Sequence, residues 1–187
     1  MARGWRRCAV LVAGLLCWLP AVHGQAQAQP GYSARPASAV TTCSGQLVRN
    51  PGFESGAVYW TASPGVITNS SSEPAHSGSW DAVLGILGGT ESVSQTISIP
   101  AGCHATLSFW LHIDTEETTT TTAYDRLTLK LDTTQIAGWS NLNHNLGYSQ
   151  QVVAFSGTGT FTITFTATED SSLLTRFVLD DVTVTLS

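Results

Sequence analysis

Two carboxylates near opposite ends of the chain, Glu54 and Asp180, sit where an acidic group most needs a chemical partner. Asp180 belongs to Phe177-Val-Leu-Asp-Asp-Val-Thr-Val-Thr-Leu186, where the period of two of an extended chain puts it on the side of Val182, Val184 and Leu186. A carboxylate facing a core persists only when it is paired or holds a metal. Glu54, alone beside the glycine-rich turn of Asn50-Pro-Gly-Phe-Glu-Ser-Gly56, is the natural second ligand of a calcium ion, with carbonyls around Ser77 to Ser79 as further oxygen donors. Arg49 or Arg176 is the alternative partner of Asp180.

A weaker second metal site is suggested by Asp114, Glu116 and Asp125, which flank a threonine-rich excursion together with Glu117, and which Glu169-Asp170 could join. Oxygen ligands without cysteine suit a hard cation such as calcium. The same acids could equally form a solvated rim that keeps a sheet edge from aggregating.

Aromatic residues offer another chemistry, because a sugar ring has an apolar face that stacks on an indole while amides and carboxylates bond its hydroxyls. Trp60 and Trp80 read as core residues. Trp110, on the same strand side as His112, and Trp139 are the sugar-stacking candidates, with Asn141, Asn143 and Tyr148 in the loop Ala137-Gly-Trp-Ser-Asn-Leu-Asn-His-Asn-Leu-Gly-Tyr148 lining the polar part of a binding site. Catalysis has no such set: the histidines are scattered, no His-Glu-x-x-His or Gly-x-Ser-x-Gly occurs, and Ser77 in His-Ser-Gly-Ser is turn chemistry, so no enzyme is expected.

The elements that must position these groups are strands. Alternation marks 93–99, 107–113, 127–131, 152–155, 161–167 and 178–186, separated by turns such as Pro100-Ala-Gly102 and Ser156-Gly-Thr-Gly159. In the fifth of these Phe161, Ile163, Phe165 and Ala167 alternate with threonines, giving an apolar inner face and a hydroxyl-rich outer one. No useful helical period occurs, and the spacing fits an all-β, two-sheet antiparallel sandwich of about eight strands.

The 187 residues hold one domain of ordinary size and a leader. Arg3, Arg6 and Arg7, an apolar run from Cys8 to Leu19 and Ala26-Gln-Ala28 form the three parts of a secretory signal over 1–28, followed by a flexible linker at 29–42 and the domain at 43–187. The apolar run is too short to span a bilayer, so export to the extracellular space is expected without a membrane anchor. A net charge of -5 with eight Lys and Arg argues against nucleic acid. Removal of the signal leaves Cys43 and Cys103, which pair in an oxidising compartment.

The segments Asn50-Pro-Gly-Phe-Glu54, Ala75-His-Ser-Gly-Ser-Trp80, Ala105-Thr-Leu-Ser-Phe-Trp-Leu-His112 and Asp180-Asp-Val182 resemble, in order, those of the galactose-binding-like jelly-roll group, carbohydrate-binding modules included. The run from Phe109 through Asp114-Thr-Glu-Glu to Ala123-Tyr-Asp-Arg-Leu127 is similar to non-catalytic jelly-roll domains appended to secreted bacterial proteases. The resemblance covers roughly Gln46 to Leu186. It implies a jelly roll whose first strand carries Phe53-Glu54, and calcium at Glu54 and Asp180. The expected function is a secreted, non-catalytic, monomeric module that binds a polysaccharide or another surface polymer; the alternative is an extracellular protein-interaction or structural domain.

Overall fold

The computed structural model describes residues 42–187, so the expected signal segment and all of the expected linker except Thr42 lie outside the described residues. Alternation in the sequence becomes ten strands: β1 (Thr61–Ala62), β2 (Ile67–Thr68), β3 (Asp81–Leu84), β4 (Thr90–Ile99), β5 (His104–Thr115), β6 (Arg126–Leu131), β7 (Thr134–Ser140), β8 (Ser149–Ser156), β9 (Gly159–Thr168) and β10 (Thr175–Leu186). A single 3-10 turn, Asn141–Asn143, follows β7. All strand pairs are antiparallel, and they form two five-stranded sheets in the orders β1-β4-β9-β6-β7 and β2-β3-β10-β5-β8. This is the expected all-β jelly-roll sandwich, with eight strands of four or more residues and two very short edge strands. No helix among the described residues is long and apolar enough to cross a membrane.

The apolar parity of the strands fills the space between the sheets. β5 buries Ala105, Leu107, Phe109, Leu111 and Ile113, and β9 buries Ile163, Phe165 and Ala167 from the opposite side. Phe109 and Phe165 meet edge to face across the interior, their centroids 4.9 Å apart, the arrangement that aromatic quadrupoles favour. Each such fully buried ring contributes about 1.5–3 kcal/mol by leaving water. Cys43 and Cys103 are bonded, with Cα atoms 5.3 Å apart, and close a loop of 60 residues at one pole of the sandwich.

Two expectations change. Asn50 to Tyr59 is a chain of turns rather than a first strand: Asn50, Phe53 and Tyr59 all have positive φ. Asn50 holds it, its Nδ2 donating to the carbonyls of Gly56 and Val58 and its Oδ1 accepting from Ser55 N–H. Trp60 is buried as expected, and its Nε1 donates to the Asn50 carbonyl.

The second change concerns Asp180. A register shift between Asp180 and Thr183, with Asp181 at φ 50°, is a bulge that reverses the parity of β10. Phe177 and Leu179 face the core before it, and Val182, Val184 and Leu186 after it. Asp180 therefore lies on the outer face of its sheet, paired with Trp110. It is nevertheless fully buried, because the 69–80 loop covers that face.

Candidate functional site

Three places collect the residues that could carry function. The first is the covered outer face of β3, β10 and β5. The His-Ser-Gly-Ser segment of the loop is fastened there by carboxylates: Ser77 N–H donates to Asp180 Oδ2 at 2.9 Å, and Ser79 and Trp80 N–H donate to Glu54 Oε1 at 2.8 and 2.9 Å. Asp181 takes Ser77 Oγ–H and His76 Nδ1, each at 2.8 Å. His76, Asp180 and Asp181 bring one ligand atom each within 4.8 Å of one another, the only such trio among the described residues. Glu54 and Asp180 flank the same glycine, Gly52. Glu54 is exposed rather than buried beneath a turn, because the segment that carries it is a surface turn.

The aromatic rings of this face are stacked, not presented. The His76 imidazole lies on the half-buried Trp110 indole, centroids 4.0 Å apart and planes 15° off parallel, and Tyr148 meets His76 edge-on at 5.2 Å. Tyr148 Oη–H donates to the Pro74 carbonyl. Buried beside them are Asp81 and Glu73. Burial, then the charges of Asp180 and Glu73, push the Asp81 carboxyl up to about 7. Asp180 is pushed up to about 6 by burial, against the lowering effect of the Ser77 and Asp181 amides.

The second place is the loop after β7, where Trp139, Asn141 and Asn143 have structural tasks. Trp139 packs edge-on against Phe109 at 5.4 Å and donates its Nε1–H to Gln151 Oε1. Asn141 is buried, accepts from the Tyr124 and Asp125 N–H groups and donates to the Thr122 carbonyl. Asn143 caps the 3-10 turn through Ser140 N–H. Asp114 and Asp125 are not brought together: Asp114 faces Arg176 at 3.9 Å, whereas Asp125 accepts from Thr175 Oγ1–H at 2.6 Å, and neighbouring residues of a strand point to opposite faces. Glu116 is exposed. Glu169, not Asp114, is the buried acid beside Asp125: its Oε2 accepts Thr175 N–H, and burial pushes it up to about 7.

The third place was not singled out from the sequence. The outer face of β1-β4-β9-β6-β7 is a field of hydroxyls, crossed by one ladder row of Thr61, Ser94, Thr164, Lys130 and Gln135. At one end a surface pocket of about 260 Å³ is lined by Arg49, Tyr59, Thr61, Ser94, Gln95 and Thr96. At the other, a pocket of about 380 Å³ is lined among others by Arg126, Thr128, Gln135 and Asn143, opened by the missing side chain of Gly138. Tyr59 is 57% exposed, and the Arg49 guanidinium stacks on its ring at 4.5 Å. Its φ of 73° is uncommon for a large residue, and such strain is held only by surrounding structure, here the Asn50 side chain. Positive φ at a non-glycine residue leaves no mark in a sequence, which is why periodicity did not find Tyr59.

No protein-family model matches the chain, and no curated protein matches it. Solved structures match its fold. TmCBM61 in complex with β-1,4-galactotriose is 19% identical over 75% of this chain and 97% of that one, with a TM-score of 0.53. The K3 adhesin domain of Lys-gingipain from Porphyromonas gingivalis w83 is 15% identical over 76% and 98%, with a TM-score of 0.54. A Stig cyclase from Fischerella sp. TAU is 15% identical over 77% and 98%, with a TM-score of 0.51. The shared fold is the galactose-binding-like jelly roll, and it hosts both binding modules and an enzyme.

Proposed function

We propose that the domain is a secreted, non-catalytic binding module for a polysaccharide or similar hydroxyl-rich surface polymer, stabilised by calcium. The observation that carries the binding reading is the row from Thr61 to Gln135, which joins two polar pockets across five strands. At about 4.8 Å per strand it is a track of roughly 19 Å, long enough for several sugars. It offers hydroxyl, amide and cationic donors along its length and the Tyr59–Arg49 stack at one end. Extracellular export is supported by the sequence of 1–28 and by the disulfide. The calcium reading rests on oxygen donor chemistry around Asp180, with Glu54 as the expected second ligand.

The carbohydrate-binding module and adhesin-domain neighbours are in keeping with a binding role. A protein partner is the second reading, because Trp110 and Trp139 form no solvent-facing strip. A glycan screen decides between them. Binding should appear, and Tyr59→Ala or Gln135→Ala should weaken it at least tenfold, the loss expected of a hot-spot contact, without lowering the melting temperature. An empty screen, or undiminished binding by both variants, refutes the sugar track.

A further inference from the structure

The chain divides its charges unevenly. All thirteen Asp and Glu fall within the described residues, against four of the eight Lys and Arg, namely Arg49, Arg126, Lys130 and Arg176. Arg176 belongs to the β3-β10-β5 side, where it faces Glu73 at 3.5 Å and Asp114 at 3.9 Å. The other three cations lie on the hydroxyl-rich face of β1-β4-β9-β6-β7. Arg126 and Lys130 share the outward parity of β6 with Thr128, while Leu127 and Leu129 are buried. Lys130 stands in the row of Thr164, Ser94 and Thr61. Arg49 is fixed beside that row by the buried Gln95 side chain, whose Oε1 accepts Arg49 N–H at 2.7 Å and whose Nε2 donates to the Arg49 carbonyl at 2.9 Å. Among the described residues ion pairs form at His76 and Arg176 alone, so none of these three cations is paired to a carboxylate.

The acids of these strands point elsewhere. Glu91 shares the inward parity of Ala167 and accepts Gly85 N–H, and Asp132, in the β6–β7 turn at the margin of the face, accepts Thr162 N–H. Past the end of β9, Glu169 is surrounded by the charges of Asp125, Asp170 and Glu91 and by no cation of this face. A lysine on a sheet edge guards against aggregation, but β6 is an interior strand, flanked by β9 and β7, so that role does not explain Arg126 and Lys130. Their spacing says what they could hold. Arg126 and Lys130 are four residues apart on one strand, about 13 Å, and Lys130 is two strands from Ser94, about 10 Å. Ser94 lines the same pocket as Arg49. Cations so far apart do not converge on a single phosphate group; they match charges repeated at intervals along a chain, with hydroxyls between them.

We infer that the polymer bound along this track is an acidic polysaccharide, whose carboxylate or sulfate groups are held by Arg49, Lys130 and Arg126 while its hydroxyls bond the serine and threonine rows. This rests on the sugar reading above and narrows it to one charge class. Guanidinium groups suit such anions, because their planar fork meets two oxygens at once. At one end Arg126 shares its pocket with Trp139 and Asn143, and at the other Arg49 shares its pocket with Tyr59, so each terminal anion would have an aromatic ring beside it. The rest of the molecule, where the thirteen acids lie, would repel the polymer, and that field favours approach to this face.

The test uses pairs of polymers that share a backbone and differ in charge: polygalacturonate with its methyl ester, and dextran sulfate with dextran. Binding is measured by calorimetry at low and high salt, for wild type and for the double variant Arg126→Gln/Lys130→Gln. Wild type should bind the acidic member of at least one pair tenfold or more tightly than the neutral one, and salt should weaken that binding. The pair that responds tells carboxylate from sulfate. The double variant should lose the preference while melting as wild type does, since exposed, unpaired side chains contribute little to stability. Equal binding within both pairs, or binding of neutral glycans alone, would overturn the acidic class and leave the sugar reading standing. A preference kept by the double variant would overturn the assignment to these residues, and duplex DNA bound as tightly as the acidic polysaccharide would overturn the choice of a sugar polymer. No binding to any of the four polymers or to any glycan of the screen would overturn both readings.

Discussion

Gly78 is the residue at which one added methyl should do the most damage relative to its size. Its φ is +66°, and an added Cβ would overlap Glu54 Oε1 and come within 2.8 Å of Oε2. Left-handed backbone costs a non-glycine residue about 1–2 kcal/mol. The displaced carboxylate would also release the Ser79 and Trp80 N–H groups. Because Glu54 is exposed, water replaces much of that loss, and about 1 kcal/mol is a fair allowance for both bonds together. Gly78→Ala should therefore cost about 2–3 kcal/mol, a fall in melting temperature of roughly 5–10 °C for a domain of this size. Urea and thermal unfolding, in wild type and in a Glu54→Ala background, separate the two parts. Only the backbone share should persist when Glu54 is absent, which leaves a coupling of about 1 kcal/mol. An identical cost in both backgrounds, or a shift under 2 °C, would refute the reasoning.

Glu169 should make stability depend on pH. Burial pushes it to about 7 from 4.5, with smaller upward pushes from Asp125, Asp170 and Glu91 and a lowering by Thr175 N–H. A carboxyl that binds its proton more tightly when folded contributes stability fully below about pH 4.5, and that contribution is lost as pH rises through about 7. Glu169→Gln should thus gain on the order of 2–3 kcal/mol over wild type at pH 8 and little at pH 4.5; parallel pH profiles of the two proteins contradict this. Breaking the disulfide with Cys43→Ser should cost up to about 4 kcal/mol by loop entropy, the loop being 60 residues, and peptide mapping without reductant should recover Cys43 joined to Cys103. A melting point unchanged by Cys43→Ser would count against a structural role for the bond.

Where apolar and polar residues alternate without interruption, the strands were legible: β4, β5, β6, β8, β9 and β10 all contain the runs read from periodicity. β3 escaped because Asp81 begins it, an acid in an otherwise apolar segment that propensity assigns to a turn. β7 escaped because Gly138 interrupts it and the β6–β7 register shifts at Leu129. Asp180 is the instructive residue. Its burial and need for a partner were visible, but one residue in left-handed conformation at Asp181 reversed the face on which it lies. A bulge has no period to detect, so parity carried across it gives the wrong side. The candidate site was hidden for a related reason. Tryptophans announce sugar binding in composition; here the Trp139 indole packs edge-on against Phe109 while also lining the pocket beside Gly138, and the Tyr59 ring is turned outward by local backbone strain.

The disulfide also determines how the domain would bear mechanical load. Cys103 precedes His104, which exchanges two backbone hydrogen bonds with Ser187, at 2.9 and 3.0 Å. Tension applied between residue 43 and residue 187 would run through the Cys43–Cys103 bond and straight into that pair. The 44–102 segment, with Glu54, Trp80 and Asp81, would stay outside the force path. β5 and β10 are antiparallel and would be gripped at the same end, so they would unzip rung by rung rather than shear. Resistance to pulling would be low at first. Reduction of the disulfide would reroute the force through Gly45 and then Leu47, whose hydrogen bonds with Leu186 and Val184 tie the first described segment to β10.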